Sequence, residues 1–153
     1  MKLDIDISKK FNLKKINLNL SKELNEAGKI IRKDHVTRLE RGTGVDGNQM
    51  ERLAASTIEA KGFNQILVNT GQMRNLDMER ATASKQVVTV FPGKKRKRGK
   101  SETQKGVTNA QIGLYHQNGD GVPKREWFGI SLEAENKSIK AIEFAIERAL
   151  RRL

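Results

Sequence analysis

Residues 131–150 read SLEAENKSIKAIEFAIERAL, and this stretch decides the fold class. Ile139, Ile142, Ala145, Ile146, Ala149 and Leu150 recur at spacings of three and four, which gathers them on one side of an α-helix. Ser131 stands where an N-cap is needed, because its hydroxyl can accept from a backbone N–H that the first turn leaves unpaired. Glu133 and Glu135 in that turn, and Arg148, Arg151 and Arg152 at the far end, oppose the helix macrodipole. A second amphipathic helix is predicted over Ser21–Arg41, where Leu24, Ala27, Ile31 and then His35 or Leu39 keep the same spacing. Ser21 is its predicted N-cap, Arg38 and Arg41 suit its last turn, and Gly42 suits its stop.

Between and before these helices the pattern changes to that of strands. Leu3, Ile5 and Ile7 alternate with Lys2, Asp4 and Asp6, the period of a strand with one buried face. Leu13, Ile16, Leu18 and Leu20 give either a second short strand or the lead-in to the first helix. Met73–Glu79 and Gln86–Phe91 bracket Arg80–Lys85 as two paired strands, the second rich in β-preferring residues (VVTVF, 87–91) and ended by Pro92-Gly93. GTGVDGN (42–48) is a loop by composition. Met50–Ala60 reads as a short helix or irregular chain. Ala110–Gln117 reads as a short helix with Ile112, Leu114 and Tyr115 facing inward. Asn118–Gly121 is a turn, and Pro123–Ile130 is extended. The expected fold is a single α+β domain over residues 1–153. A small antiparallel sheet packs against a long helix in the N-terminal half and a C-terminal amphipathic helix, with a long basic loop over 93–108.

At 153 residues one core is sustainable, although only 36% of the chain is apolar. Lys and Arg number 30 against 18 Asp and Glu, a net charge of +12. Six of the basic residues, Lys94, Lys95, Arg96, Lys97, Arg98 and Lys100, fall in one run, and without them the chain is near +6. Such a run neutralises phosphates of a polyanion or contacts an acidic partner; otherwise it is a solvated loop tip. No aromatic residue is interleaved with it as a stacking platform. The absence of cysteine excludes disulfides and thiolate metal sites. MKLDIDISKK has no apolar h-region, so no signal peptide is expected, and no apolar run approaches a membrane span.

Catalytic chemistry finds little support. His35 and His116 are the only histidines, and neither sits in a metal-ligand spacing such as HExxH. No serine occupies a GxSxG elbow. GTGVDG follows a helix and lacks the Lys-Ser/Thr of a phosphate loop, as well as the ligand ladder of a calcium loop. No catalytic, metal-ligating or cofactor-binding residue is therefore expected, and the chain reads as a non-enzyme. Trp127 and Phe128 are the notable aromatic pair. In an extended segment they point to opposite faces, one into the core and the other toward a partner; the plainer alternative packs both beneath the last helix.

The order of motifs carries a resemblance. GVDGNQMERLAASTIEAKG, ILVNTGQMRN, VVTVF, YHQNG and VPKREWFGIS, followed by a terminal amphipathic helix, resemble the phage virion morphogenesis family, the tail-completion and neck proteins of Mu-like and related long-tailed bacteriophages. Asp46, Gly47, Leu53, Thr57 and Lys61 match the first passage of that family. Leu67, Thr70, Gly71 and Met73 match the second, with methionine in place of leucine. His116, Gln117 and Gly119 match the third. Pro123, Arg125, Phe128 and Gly129 match the fourth, with Val122 in place of isoleucine. The resemblance implies a virion structural protein that forms a ring, commonly sixfold, at the head-proximal end of the tail. There it would act as a tail-completion or terminator protein, joining the tail to the head. Its implied partners are copies of itself, head connector and neck proteins, tail tube or sheath proteins, and DNA in the channel. Its place is the virion, and the host cytoplasm during assembly. On this reading Trp127, Phe128, Arg125, His116 and Gln117 are candidate interface residues. The alternative is a nucleic-acid-binding module that uses residues 94–100.

Overall fold

The computed structural model describes residues 3–6, 18–68, 71–93 and 108–151. The basic run 94–100, and the strand or lead-in expected to begin at Leu13, lie outside them, apart from Leu18–Leu20, which leads into the first helix. The chain runs β1 (Leu3–Asp6), α1 (Ser21–Arg41), α2 (Ala55–Lys61), a single 3-10 turn at Gln72–Arg74, β2 (Leu76–Glu79), β3 (Val87–Pro92), α3 (Asn109–Asn118) and α4 (Leu132–Leu150). The fold is α+β, as the alternation of strand and helix periods predicts.

Among the described residues three strands form one antiparallel sheet in the order β1-β3-β2, with Leu3 opposite Val90 and Met78 opposite that same residue on the other side. The central strand β3 is buried from Val88 to Pro92, and its unbroken VVTVF run reflects cover on both faces. Helix α1 lies across the sheet. Gly28 allows the close approach, since a Cβ there would sit 2.5 Å from Met78 Sδ and 2.9 Å from Val88 Cγ2. Two apolar clusters result. One joins Leu20 and Leu24 to Val88, Ile142 and Ala145. The other joins Ile31 and Leu39 to Leu76, Val90, Trp127 and Phe128. Burying each large aliphatic side chain contributes about 2 kcal/mol.

Three expectations change. Ser21 does not cap α1. The N-cap position is Leu20, without a side-chain cap bond, while Asn19 Oδ1 accepts from Ser21 N–H at 3.0 Å. Gln86 fixes the entry instead: its Oε1 accepts from Leu20 N–H and its Nε2 donates to Leu18 O, both at 2.9 Å. In α3 the inward face is Asn109 and Gly113, and Leu114 and Tyr115 are each 45% exposed. The helix turns its glycine to the core because a tryptophan ring lies there. In α4 the buried stripe is Ala134, Ser138, Ile142 and Ala145, whereas Ile139 and Leu150 lie outside it, 42% and 49% exposed. Small residues win the contact because they let α4 approach α1 closely.

Candidate functional site

The motif residues after the basic run come together between α3, the segment 123–130 and the end of α1. Helix α3 begins with a capping box: Gln111 N–H donates to Thr108 Oγ1 at 3.2 Å, and Thr108 N–H donates to Gln111 Oε1 at 2.7 Å. It ends at Gly119, whose φ of 84° is the left-handed cap. The segment 123–130 joins no sheet, so its backbone needs other partners. Gln117 supplies them. Its Oε1 accepts from Trp127 N–H and Phe128 N–H, each at 3.2 Å, and its Nε2 donates to Phe128 O at 3.3 Å. One side-chain amide thus stands in for a neighbouring strand.

Arg125 is the second brace. Its N–H donates to His116 O at 2.6 Å, and its buried guanidinium donates to Glu51 O at 3.1 Å, Arg52 O at 3.4 Å and Pro123 O at 3.5 Å. It also donates to His116 Nδ1 at 3.4 Å, so that nitrogen is the unprotonated one. Burial, and then the Arg125 charge, lower the His116 pKa from its ordinary 6.5. His116 therefore acts as a neutral acceptor near pH 7.

Trp127 and Phe128 do not diverge. Trp127 N–H closes a tight turn onto Arg125 O at 2.9 Å, which breaks strand alternation, and both rings enter the core with centroids 5.6 Å apart. The partner-facing role expected for one of them is corrected: in this subunit both are buried. They also pack beside Ile31, Leu39 and Val90 rather than beneath α4. The indole Nε1–H donates to Gly113 O at 2.8 Å, and a Cβ on Gly113 would lie 2.1 Å from Trp127 Cζ2.

Three further residues complete the brace from α1, and periodicity did not single out these roles. Arg38, read from sequence as a last-turn charge, is buried. It donates to Asp34 Oδ2 at 2.8 Å, Trp127 O at 3.1 Å and Gly129 O at 3.2 Å. Ser131 donates to Asp34 Oδ1 at 2.8 Å while accepting from Ala134 N–H at 3.2 Å, so the N-cap of α4 is tied to α1. His35 donates from Nε2 to Met73 O at 2.9 Å and lies 5.3 Å from the Trp127 ring. Among the described residues its Nδ1 makes no well-formed hydrogen bond, and burial above all pushes its pKa down from 6.5 to about 4. The signal available in sequence was Gly113, a glycine in the middle of a short helix that is locally unfavourable there.

The GTGVDG loop docks on the same segment. Val45 N–H donates to Glu126 O at 2.8 Å, and Gly129 packs where a Cβ would meet the Val45 methyls at 3.1–3.2 Å. Asp46 closes the loop by accepting from Asn48 N–H at 3.0 Å and Asn48 Nδ2 at 2.6 Å. Those bonds lower the pKa of its carboxyl from the ordinary value. Lys61 donates to Gln65 O at 2.6 Å and lies over the Phe63 ring.

The chain matches no protein-family model, no curated protein and no solved structure. Among the described residues no group of three or more His, Asp or Glu side chains could hold a metal ion, and no helix is long and apolar enough to cross a membrane.

Proposed function

We propose that this chain is a structural subunit of the neck of a tailed bacteriophage, forming a ring at the head-proximal end of the tail that completes the tail and joins it to the head connector. The reading starts from the ordered resemblance to the virion morphogenesis family. The observation that carries it is the convergence of HQNG and PKREWFG on each other. Gln117, Arg125 and Trp127 direct their polar atoms at main-chain groups of the same subunit, and His116 accepts from the Arg125 guanidinium. Motif residues used in this way fix a shape, and a fixed shape is what a repeating virion component needs. The sheet also leaves β1 and β2 each with an unpaired edge among the described residues, and edges of this kind are available to neighbouring chains.

The test is a phage in which this reading frame is disrupted. Electron microscopy of the lysate is expected to show filled heads and free tails that fail to join, with joining restored when wild-type protein is supplied. Infectious, fully joined particles from the disrupted phage overturn the proposal.

A further inference from the structure

Two surface features on opposite flanks of the subunit complement each other. The first is the outer flank of α4. Leu132, Ile139 and Leu150 are 72%, 42% and 49% exposed. Arg148, which reaches Glu23 at 3.8 Å, marks the side of α4 that faces α1. At 3.6 residues per turn, all three apolar residues lie about half a turn around the helix from Arg148. Ile146, at heptad spacing from Leu132 and Ile139, is half-buried against the Leu20–Val88 cluster and forms the inner edge of this row. The ridge is bordered by Glu135, Glu143 and Glu147, all exposed and without an ion-pair partner among the described residues. A row of exposed aliphatics edged by free carboxylates is not what a solvated helix face needs.

The second feature lies on the other side of α1, away from α4. There α1 and the chain entering β2 enclose a cleft of about 260 Å³, lined by Lys29, Arg32, Lys33, Val36, Arg74 and Leu76. Lys29 pairs with Glu26 and Arg74 with Glu40. Arg32 and Lys33 have no ion-pair partner among the described residues. The cleft therefore offers the half-buried Val36, above the buried Leu76 and beside Asn75, between free cations, the counterpart of an apolar ridge between free carboxylates.

We propose that the α4 ridge of one copy docks in the α1 cleft of a second copy. The two surfaces differ and lie on opposite flanks of one subunit, so the contact is heterologous and repeats head to tail, the arrangement that closes rings. The apolar row supplies burial, while the charges set register and orientation. Closure into a ring rests on the neck reading above; the pairing of the two surfaces does not. A nucleic acid in the cleft would use the cations but would leave the apolar ridge without an occupant.

The experiment is sedimentation velocity of the full chain over a concentration series at low ionic strength. Glu143→Lys with Glu147→Lys on the ridge, and Arg32→Glu with Lys33→Glu in the cleft, are each expected to weaken self-association about tenfold or more. All four substitutions in one chain restore it. Ile139→Asp weakens it at any salt concentration. The altered side chains are exposed, so unchanged circular dichroism melts verify that each variant folds. A chain that sediments as a monomer at every concentration overturns the proposal, as does association indifferent to both reversals. Salt-sensitive DNA binding that Arg32→Glu with Lys33→Glu abolishes, with self-association unchanged, assigns the cleft to nucleic acid and equally overturns it. Association that follows the charge swap while phage particles assemble without the protein refutes the neck reading and leaves the pairing intact.

Discussion

Gly113 and Trp127 show how far one residue can depend on another. An alanine at 113 would favour helix α3 by about 1 kcal/mol on propensity alone. Its methyl, however, would lie 2.1 Å from the indole, so the ring must leave its place among His35, Phe128 and Val90. Gly113→Ala is expected to destabilise the fold by about 2–3 kcal/mol in urea unfolding; a variant more stable than wild type would show that the ring moves freely. His35 gives a prediction in pH. Its pKa is about 4 when folded against 6.5 unfolded, so between those values the unfolded chain binds the proton and the folded one does not. Stability is unaffected above pH 6.5 and falls as pH drops toward 4, by about 1.4 kcal/mol per unit at most. His116, also lowered, acts in the same direction. The unfolding free energy of His35→Gln is expected to fall less steeply from pH 6.5 to 5, and a slope equal to wild type would exclude His35 as a source of acid sensitivity.

At the scale of elements, α4 separates what its sequence carries from what only packing decides. The helix and its Ser131 cap are legible because spacing and capping are local. The buried face is not, because apolar residues cover a broad arc and the choice among them depends on how closely α1 approaches. Ile142→Ala is expected to cost about 2–4 kcal/mol, while Ile139→Ala changes subunit stability by less than about 0.5 kcal/mol; equal losses in thermal denaturation would return both to one stripe. Ser131→Ala removes a cap and a bond to Asp34, for an expected loss of about 1–2 kcal/mol. The α3 error has a related origin. Leu114 and Tyr115 look like core residues until Trp127 claims the face occupied by Gly113, and that pairing spans a turn and an irregular segment that no periodicity registers. For the candidate site, the resemblance marks His116, Gln117, Arg125, Trp127 and Phe128 as interface residues, whereas within the subunit they brace one another, and strand alternation gives the wrong direction for one of the aromatics. The turn at Arg125–Trp127 is made by a backbone bond, which composition does not encode.

For the whole molecule, charge is distributed unevenly: six of the excess cations lie in 94–100. Replacing all six by glutamine lowers the net charge from +12 to +6 and is expected to flatten the salt dependence of any DNA binding; filter binding at several salt concentrations reads this directly, and an unchanged slope would place the binding elsewhere. The long-range ties also set a timetable for synthesis. Arg38 is bonded to Trp127 O and Asp34 to Ser131, 89 and 97 residues further along the chain. At about 5–20 residues per second, α1 leaves the ribosome roughly 5–20 s before those partners exist. The side of α1 carrying Leu24, Ile31 and Leu39 lacks the sheet until β2 and β3 have been made, and lacks α4 for the whole of that interval. Apolar surface on α1 is thus open to other contacts early in synthesis, and the brace closes only when Trp127–Ser131 and α4 have been translated.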